Sequence, residues 1–164
     1  MVKTSILLPL LIFFKSIAFG QVDINRNIEI KQYAHQLDSA QGVFKQLSFK
    51  MDTVQIDTKK YENRITAKCL FEKSRSYLTI SYYLKSNNLI LASVKEQSPK
   101  MDMCYYESLF FYSNNKLTDD ECGSIAPKCF AEPMNKSIYQ IYGYNPSLDK
   151  IFLEDFVMKL YNRL

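Results

Sequence analysis

Few residues in this chain have side chains able to do chemistry: Cys69, Cys104, Cys122 and Cys129, the single histidine His35, an acidic run Asp119-Asp120-Glu121, and twelve tyrosines. Zinc sites are preorganised by close cysteine pairs such as CxxC, and the successive cysteine spacings of 35, 18 and 7 do not supply one. No metal is expected. Any Ser-His-Asp or Cys-His mechanism must run through His35, which falls one residue off the apolar face of a predicted helix and has no GxSxG nucleophile motif beside it. No catalytic residue is assigned. The acidic run lacks the alternating ligands and later glutamate of a calcium loop, so it reads as a solvated segment. With four glycines and neither GxGxxG nor GxxxxGK[ST], the chain has no phosphate cradle, and no cofactor is expected.

Tyrosine is the more informative residue. It joins an apolar ring to a polar tip and is enriched in interfaces. Tyr77, Tyr83 and Leu91 fall on the face of the predicted sheet opposite the core, and Tyr139, Tyr142 and Tyr144 crowd a short segment after the last cysteines. These six are the candidate binding residues. The absence of tryptophan counts against carbohydrate stacking.

The elements that must position them are read from periodicity. Residues 23–40 hold no Gly or Pro and set Ile30, Tyr33, Ala34 and Leu37 on one helical face, with Asp23 as N-cap. Residues 47–56 alternate and then change parity, as a bulged strand or two short strands would. Two related phrases follow: "SYYLKSNNLILAS" at 81–93 and "SLFFYSNNKLTDD" at 108–120. Each places aromatic residues before Ser-Asn-Asn and aliphatic ones after it, the pattern of a hairpin closed by asparagine in the left-handed region.

Closing Ser74-Arg75 as a two-residue turn puts Phe71 opposite Leu78 and Cys69 opposite Ile80. A three-residue loop at 86–88 then puts Leu84 opposite Ile90, Tyr82 opposite Ala92 and Ile80 opposite Val94. In the second hairpin, a loop at 113–115 sets Phe111 opposite Leu117. Residues 118–137 read as a long loop. Asn145-Pro146 then opens a C-terminal helix whose apolar residues are Leu148, Ile151, Phe152, Phe156, Leu160 and Leu164.

The compartment follows from the N-terminus. A short positive start with Lys3, ten uncharged residues from Ser5 to Phe14, and Ala18-Phe19-Gly20 describe a secretory signal peptide over residues 1–20, cut before Gln21. Ten apolar residues are too few to cross roughly 30 Å of hydrocarbon, so no stable membrane insertion is expected after cleavage. The remainder, 21–164, is read as one globular domain, secreted or periplasmic.

An even cysteine count in an exported chain points to two disulfides. The register favours Cys104 with Cys122 and Cys69 with Cys129; joining Cys122 to Cys129 and Cys69 to Cys104 stays open. Loss of the leader leaves 19 basic against 17 acidic residues, too small an excess for nucleic acid. Charge is unevenly spread, with eight basic and four acidic residues over 45–75 and three basic and seven acidic over 96–132. The reading is an α+β fold: an antiparallel meander of four to six strands, flanked by an N-terminal and a C-terminal helix and stabilised by disulfides. Its function is expected to be non-catalytic binding of another protein. A carrier of an apolar ligand held between sheet and helices is the alternative, and an enzyme with an unrecognised site the second.

Overall fold

The computed structural model describes residues 24–101, 103–125 and 136–164. The chain divides into two compact units, one ending at Ser39 and the other spanning Ala40–Leu164. In the first, α1 runs over residues 24–39. It buries Asn27, Ile30 and Ala34 at helical spacing and exposes His35. The leader, the cut before Gln21 and the proposed Asp23 cap lie outside the described residues.

The second unit holds an antiparallel sheet of seven strands among the described residues, in the order β1(Lys45–Met51), β2(Val54–Lys60), β3(Arg64–Phe71), β4(Ser76–Lys85), β5(Asn88–Gln97), β6(Tyr105–Ser113) and β7(Lys116–Ile125). Seven replaces the expected four to six because the parity change at 47–56 is a hairpin. Asp52 takes a φ of 56°, and Met51 pairs with Val54. The segment 118–125, read as loop, is the body of β7: an edge strand can carry Asp119, Asp120 and Glu121 because one of its sides faces water.

The two Ser-Asn-Asn phrases fold alike. Ser86-Asn87 and Asn114-Asn115 all take positive φ, between 51° and 63°, the type I′ geometry that matches strand twist. Both turns therefore have two residues rather than three. The register shifts between Tyr83 and Leu84, where the bulge restores the far register of a three-residue loop, and again between Phe111 and Tyr112, where it carries the far register two residues beyond the one expected. Tyr82 still meets Ala92 and Ile80 meets Val94, whereas Leu84 meets Leu89 and Phe111 meets Asp119. Between β3 and β4 the turn spans residues 72–75, with Arg75 at a φ of 54°, which puts Cys69 opposite Leu78 and Ala67 opposite Ile80. The displacement is two residues, so the same side chains stay on the same face.

That face is the core. Ile56, Ile65, Ala67, Cys69, Leu78, Ile80, Tyr82, Val94 and Phe110 pack against one side of α3 (Lys150–Tyr161), which contributes Leu153, Phe156, Val157 and Leu160. The Tyr82 hydroxyl donates to the Val157 carbonyl at 2.8 Å, which satisfies this polar tip within the layer. Asp149, not Asn145, caps α3, accepting from the Phe152 N–H at 2.8 Å. Asn145 instead closes a preceding turn, its side chain accepting from the Ser147 N–H. With the helix starting later, Ile151 points to solvent at 80 % exposure, and Leu153 and Val157 take the buried stripe. Of the two helices expected to flank the sheet, α3 packs on it, and α1 belongs to the other unit.

A helix not foreseen in the sequence, α2 (Ile138–Tyr142), opens on a reciprocal cap between Ser137 and Gln140. It ends at Gly143, whose φ of 74° strains any other residue and where a β-carbon would stand only 3.0 Å from Pro99 Cγ.

Candidate functional site

The inner face extends past the end of α3's seat onto the last hairpin, and there a cleft of about 200 Å³ opens. Its floor is built by strand alternation: Tyr106, Ser108 and Phe110 on β6, with Asp120 and Cys122 opposite Phe110 and Ser108 on β7. Its far wall is Tyr139 from α2, and its roof is Leu148, Lys150 and Leu153 at the start of α3. Lys150 Nζ lies 2.7 Å from Asp120 Oδ1, closing the rim with an exposed ion pair, and the Asp120 carboxylate holds the ammonium above its ordinary range. The Tyr106 hydroxyl hydrogen-bonds the Cys122 side chain, which together with partial burial pushes its pKa up to about 12. The site is thus an apolar cup with an aromatic wall and a rim of hydroxyl, thiol and paired charge. Tyr106 stays protonated at neutral pH, so the cup offers hydrogen bonds rather than a base.

What holds the wall in place is the β5–β6 connection. Ser98 donates to the Tyr142 carbonyl at 2.7 Å, and Lys100 donates to the Gln140 carbonyl at 2.8 Å. Behind them Cys104, Tyr142 and Tyr144 form a small buried cluster, with the Tyr142 and Tyr144 rings 5.5 Å apart and the Tyr106 ring 5.9 Å from Tyr144.

Glu96 secures the next turn by accepting from the Asn145 N–H at 2.8 Å, and burial raises its pKa above 4.5 although that bond opposes the shift. A raised carboxyl is less willing to be ionised in the folded state. The penalty is fully present above its folded pKa and is relieved as pH falls through that value toward 4.5. Glu96→Gln, which keeps the acceptor, is therefore expected to equal or exceed the parent in melting temperature at pH 7, with the difference shrinking toward pH 4.5. Glu96→Ala leaves the Asn145 N–H without its acceptor and should cost about 1–3 kcal/mol in a urea titration.

The six candidate binding residues do not form one patch. Tyr83 and Leu91 lie side by side on the outer face as expected, paired across β4 and β5, but both are buried. Tyr142 and Tyr144 are buried in the cluster that supports the cleft. Tyr77 is 60 % exposed beside the β3–β4 turn, in a separate hollow of about 260 Å³ with Arg75, Gln97 and Pro99. Tyr139, 41 % exposed, is the candidate that meets the cleft. Missed in the sequence were Tyr106, Phe110 and Lys150, whose convergence depends on the strand register and on where α3 begins.

The expected disulfides are corrected. Cys104 and Cys122 are free thiols, because Cys122 pairs with Ser108, four residues along β6 from Cys104, a span of about 13 Å where a disulfide allows less than about 7 Å between Cα atoms. Cys69 is also a free thiol, opposite Ile56 and Leu78 in the core; Cys129, its proposed partner, lies outside the described residues. Among the described residues no three potential metal ligands cluster, and no helix is long and apolar enough to cross a membrane. The chain matches no family model, no curated protein and no solved structure.

Proposed function

We propose that this chain is an exported, non-catalytic protein-binding module that takes one apolar or aromatic side chain of its partner into the cleft between β6–β7 and α2–α3. The size of the cleft carries the reading: ligand pockets typically run from about 300 to 1,000 Å³, and this one, at about 200 Å³, suits a single side chain. Its apolar floor, tyrosine wall and charged rim have the make-up of an interface hot spot. The carrier alternative needs a chamber between sheet and helix. That layer is filled by Tyr82, Phe110, Ile80 and Leu160, each 1 % exposed or less.

The test is photo-crosslinking in the compartment of the native host. A benzophenone amino acid at Tyr139 is expected to give a discrete adduct that is lost when Lys150→Glu sets a carboxylate beside Asp120. The same probe at Ile151, on the exposed side of α3, should give none. Equal labelling from both positions, or none from Tyr139, would overturn the reading.

A further inference from the structure

A carboxylate taken out of water is normally met by a cation or by several hydrogen-bond donors. Glu96 has neither. It is 7 % exposed, and among the described residues its hydrogen bond is the one that Oε1 accepts from the Asn145 N–H. The neighbouring lysines are engaged elsewhere: Lys95, on the opposite face of β5, reaches Glu107 at 3.4 Å, and Lys100 donates to the Gln140 carbonyl. Burial accordingly raises the Glu96 pKa, and what opposes the shift is the Asn145 N–H, not a cation.

This carboxylate lines the hollow of about 260 Å³ at the β3–β4 turn, together with Arg75, Tyr77, Ser98, Pro99 and Gly143. Arg75 is exposed, and among the described residues no ion pair holds it. One hollow thus carries two opposite charges that do not meet each other. A ligand bearing both charges on a short frame would answer both at once. We propose that this hollow binds a small zwitterion of the α-amino-acid class, with its ammonium on Glu96 and its carboxylate on Arg75.

The chemistry of each wall fits its part. A guanidinium presents a planar fork of N–H donors that matches a carboxylate, and a carboxylate held in a partly desolvated site binds an ammonium more strongly than one in water does. Tyr77 and Pro99 give the side chain of the ligand an apolar surface. The volume lies just below the roughly 300–1,000 Å³ of drug-sized sites, which suits a single free amino acid. A residue inside a peptide has both of these charges locked in amides and offers nothing to either wall.

The hollow shares no lining residue with the cleft that holds Tyr139, so the two sites stand or fall separately. Both charged residues can also be changed without disturbing what they hold up. Glu96→Gln keeps an acceptor for the Asn145 N–H. Arg75 sits at a φ of 54°, which asparagine takes readily, so Arg75→Asn suits the turn.

Amide-resolved NMR of the full chain tests it with three probes of one shape: L-leucine, isoamylamine, which lacks the carboxylate, and isocaproate, which lacks the ammonium. L-Leucine is expected to shift the amide signals of Arg75, Tyr77, Gln97 and Gly143 in a saturable way. Each truncated probe should bind about tenfold or more weakly, because each gives up one hydrogen-bonded charge. In Glu96→Gln the advantage of L-leucine over isocaproate should vanish, and in Arg75→Asn its advantage over isoamylamine should vanish. The amide spectrum itself reports that each variant is folded. No saturable shift by L-leucine up to its solubility limit, shifts centred on other residues, or a preference for the zwitterion that survives both substitutions would each overturn the proposal.

Discussion

Phe110→Ala is expected to remove about 3–5 kcal/mol of unfolding free energy, measured as a fall in the urea midpoint at unchanged slope. The side chain is 1 % exposed and stands where the hairpin, the helix roof and the sheet core meet, opposite Ala92 on one side and Asp120 on the other. Removing it costs the transfer of a ring to water and also leaves a cavity that the strands on either side cannot collapse to fill. Domains of this size are stable by roughly 5–15 kcal/mol, so the loss is about a fifth or more of the total. Leu160→Ala, at the far end of the same layer, should cost about 2–5 kcal/mol by the same mechanism. Ile151→Ala on the solvent side of α3 sets the baseline and should stay within about 0.5 kcal/mol. A small effect at both Phe110 and Leu160 would mean that α3 is not seated on this face.

The contrast between Ile151 and Leu153 shows where the sequence was legible and where it was not. The inner face of the sheet could be read because alternation has a period of two. An error of two residues in the β3–β4 turn moved every pair yet left Cys69, Ala67 and Ile65 on the core side. Helix α3 has no such protection. Its apolar residues admit two stripes that share Phe156 and Leu160, and packing on the sheet buries the one that adds Leu153 and Val157. Asn145 and Asp149 are both good caps; in the structure the Asn145 side chain accepts from the Ser147 N–H of a preceding turn, held in place by Glu96 on the Asn145 N–H, and Asp149 caps the helix.

The hairpins failed in the opposite sense. Positive φ falls on Asn114 and Asn115 in the second hairpin, but in the first it falls on Ser86 and Asn87 and not on Asn88, the residue expected to take it; loop length and bulge trade against each other. In the first hairpin two residues plus a bulge give the same far register as three residues without one, so Tyr82 meets Ala92 either way; in the second, Phe111 meets Asp119 instead of Leu117. The cleft was illegible for a stronger reason: Tyr106, Cys122, Tyr139 and Lys150 come from four elements, and no local pattern encodes their meeting. The tyrosine count pointed to an interface without saying that four of the six candidates are buried.

The sharpest chemical contrast is expected among the cysteines. In a Cys129→Ser background, an aromatic disulfide reagent at pH 8 should modify Cys122 quickly and leave Cys69 and Cys104 unmodified until the protein is denatured. The attacking species is the thiolate. Burial, reinforced by the Asp57 carboxylate, raises Cys69 from 9.0 to about 12, which lowers its thiolate fraction by about a thousandfold. Access multiplies that difference, since Cys69 is 1 % exposed and Cys104 fully buried, so the reagent reaches them only when the strands open. Cys122 sits on the edge strand in contact with solvent, its side chain hydrogen-bonded to Tyr106. Counting thiols should therefore give one fast equivalent on the native protein and three in denaturant, with no reductant added. If Cys104 and Cys122 were joined, as the register read from the sequence favours, the native protein would show no fast thiol and the denatured one only Cys69. The number titrated before reduction thus separates the paired arrangement from the strand register that holds the two sulfurs apart.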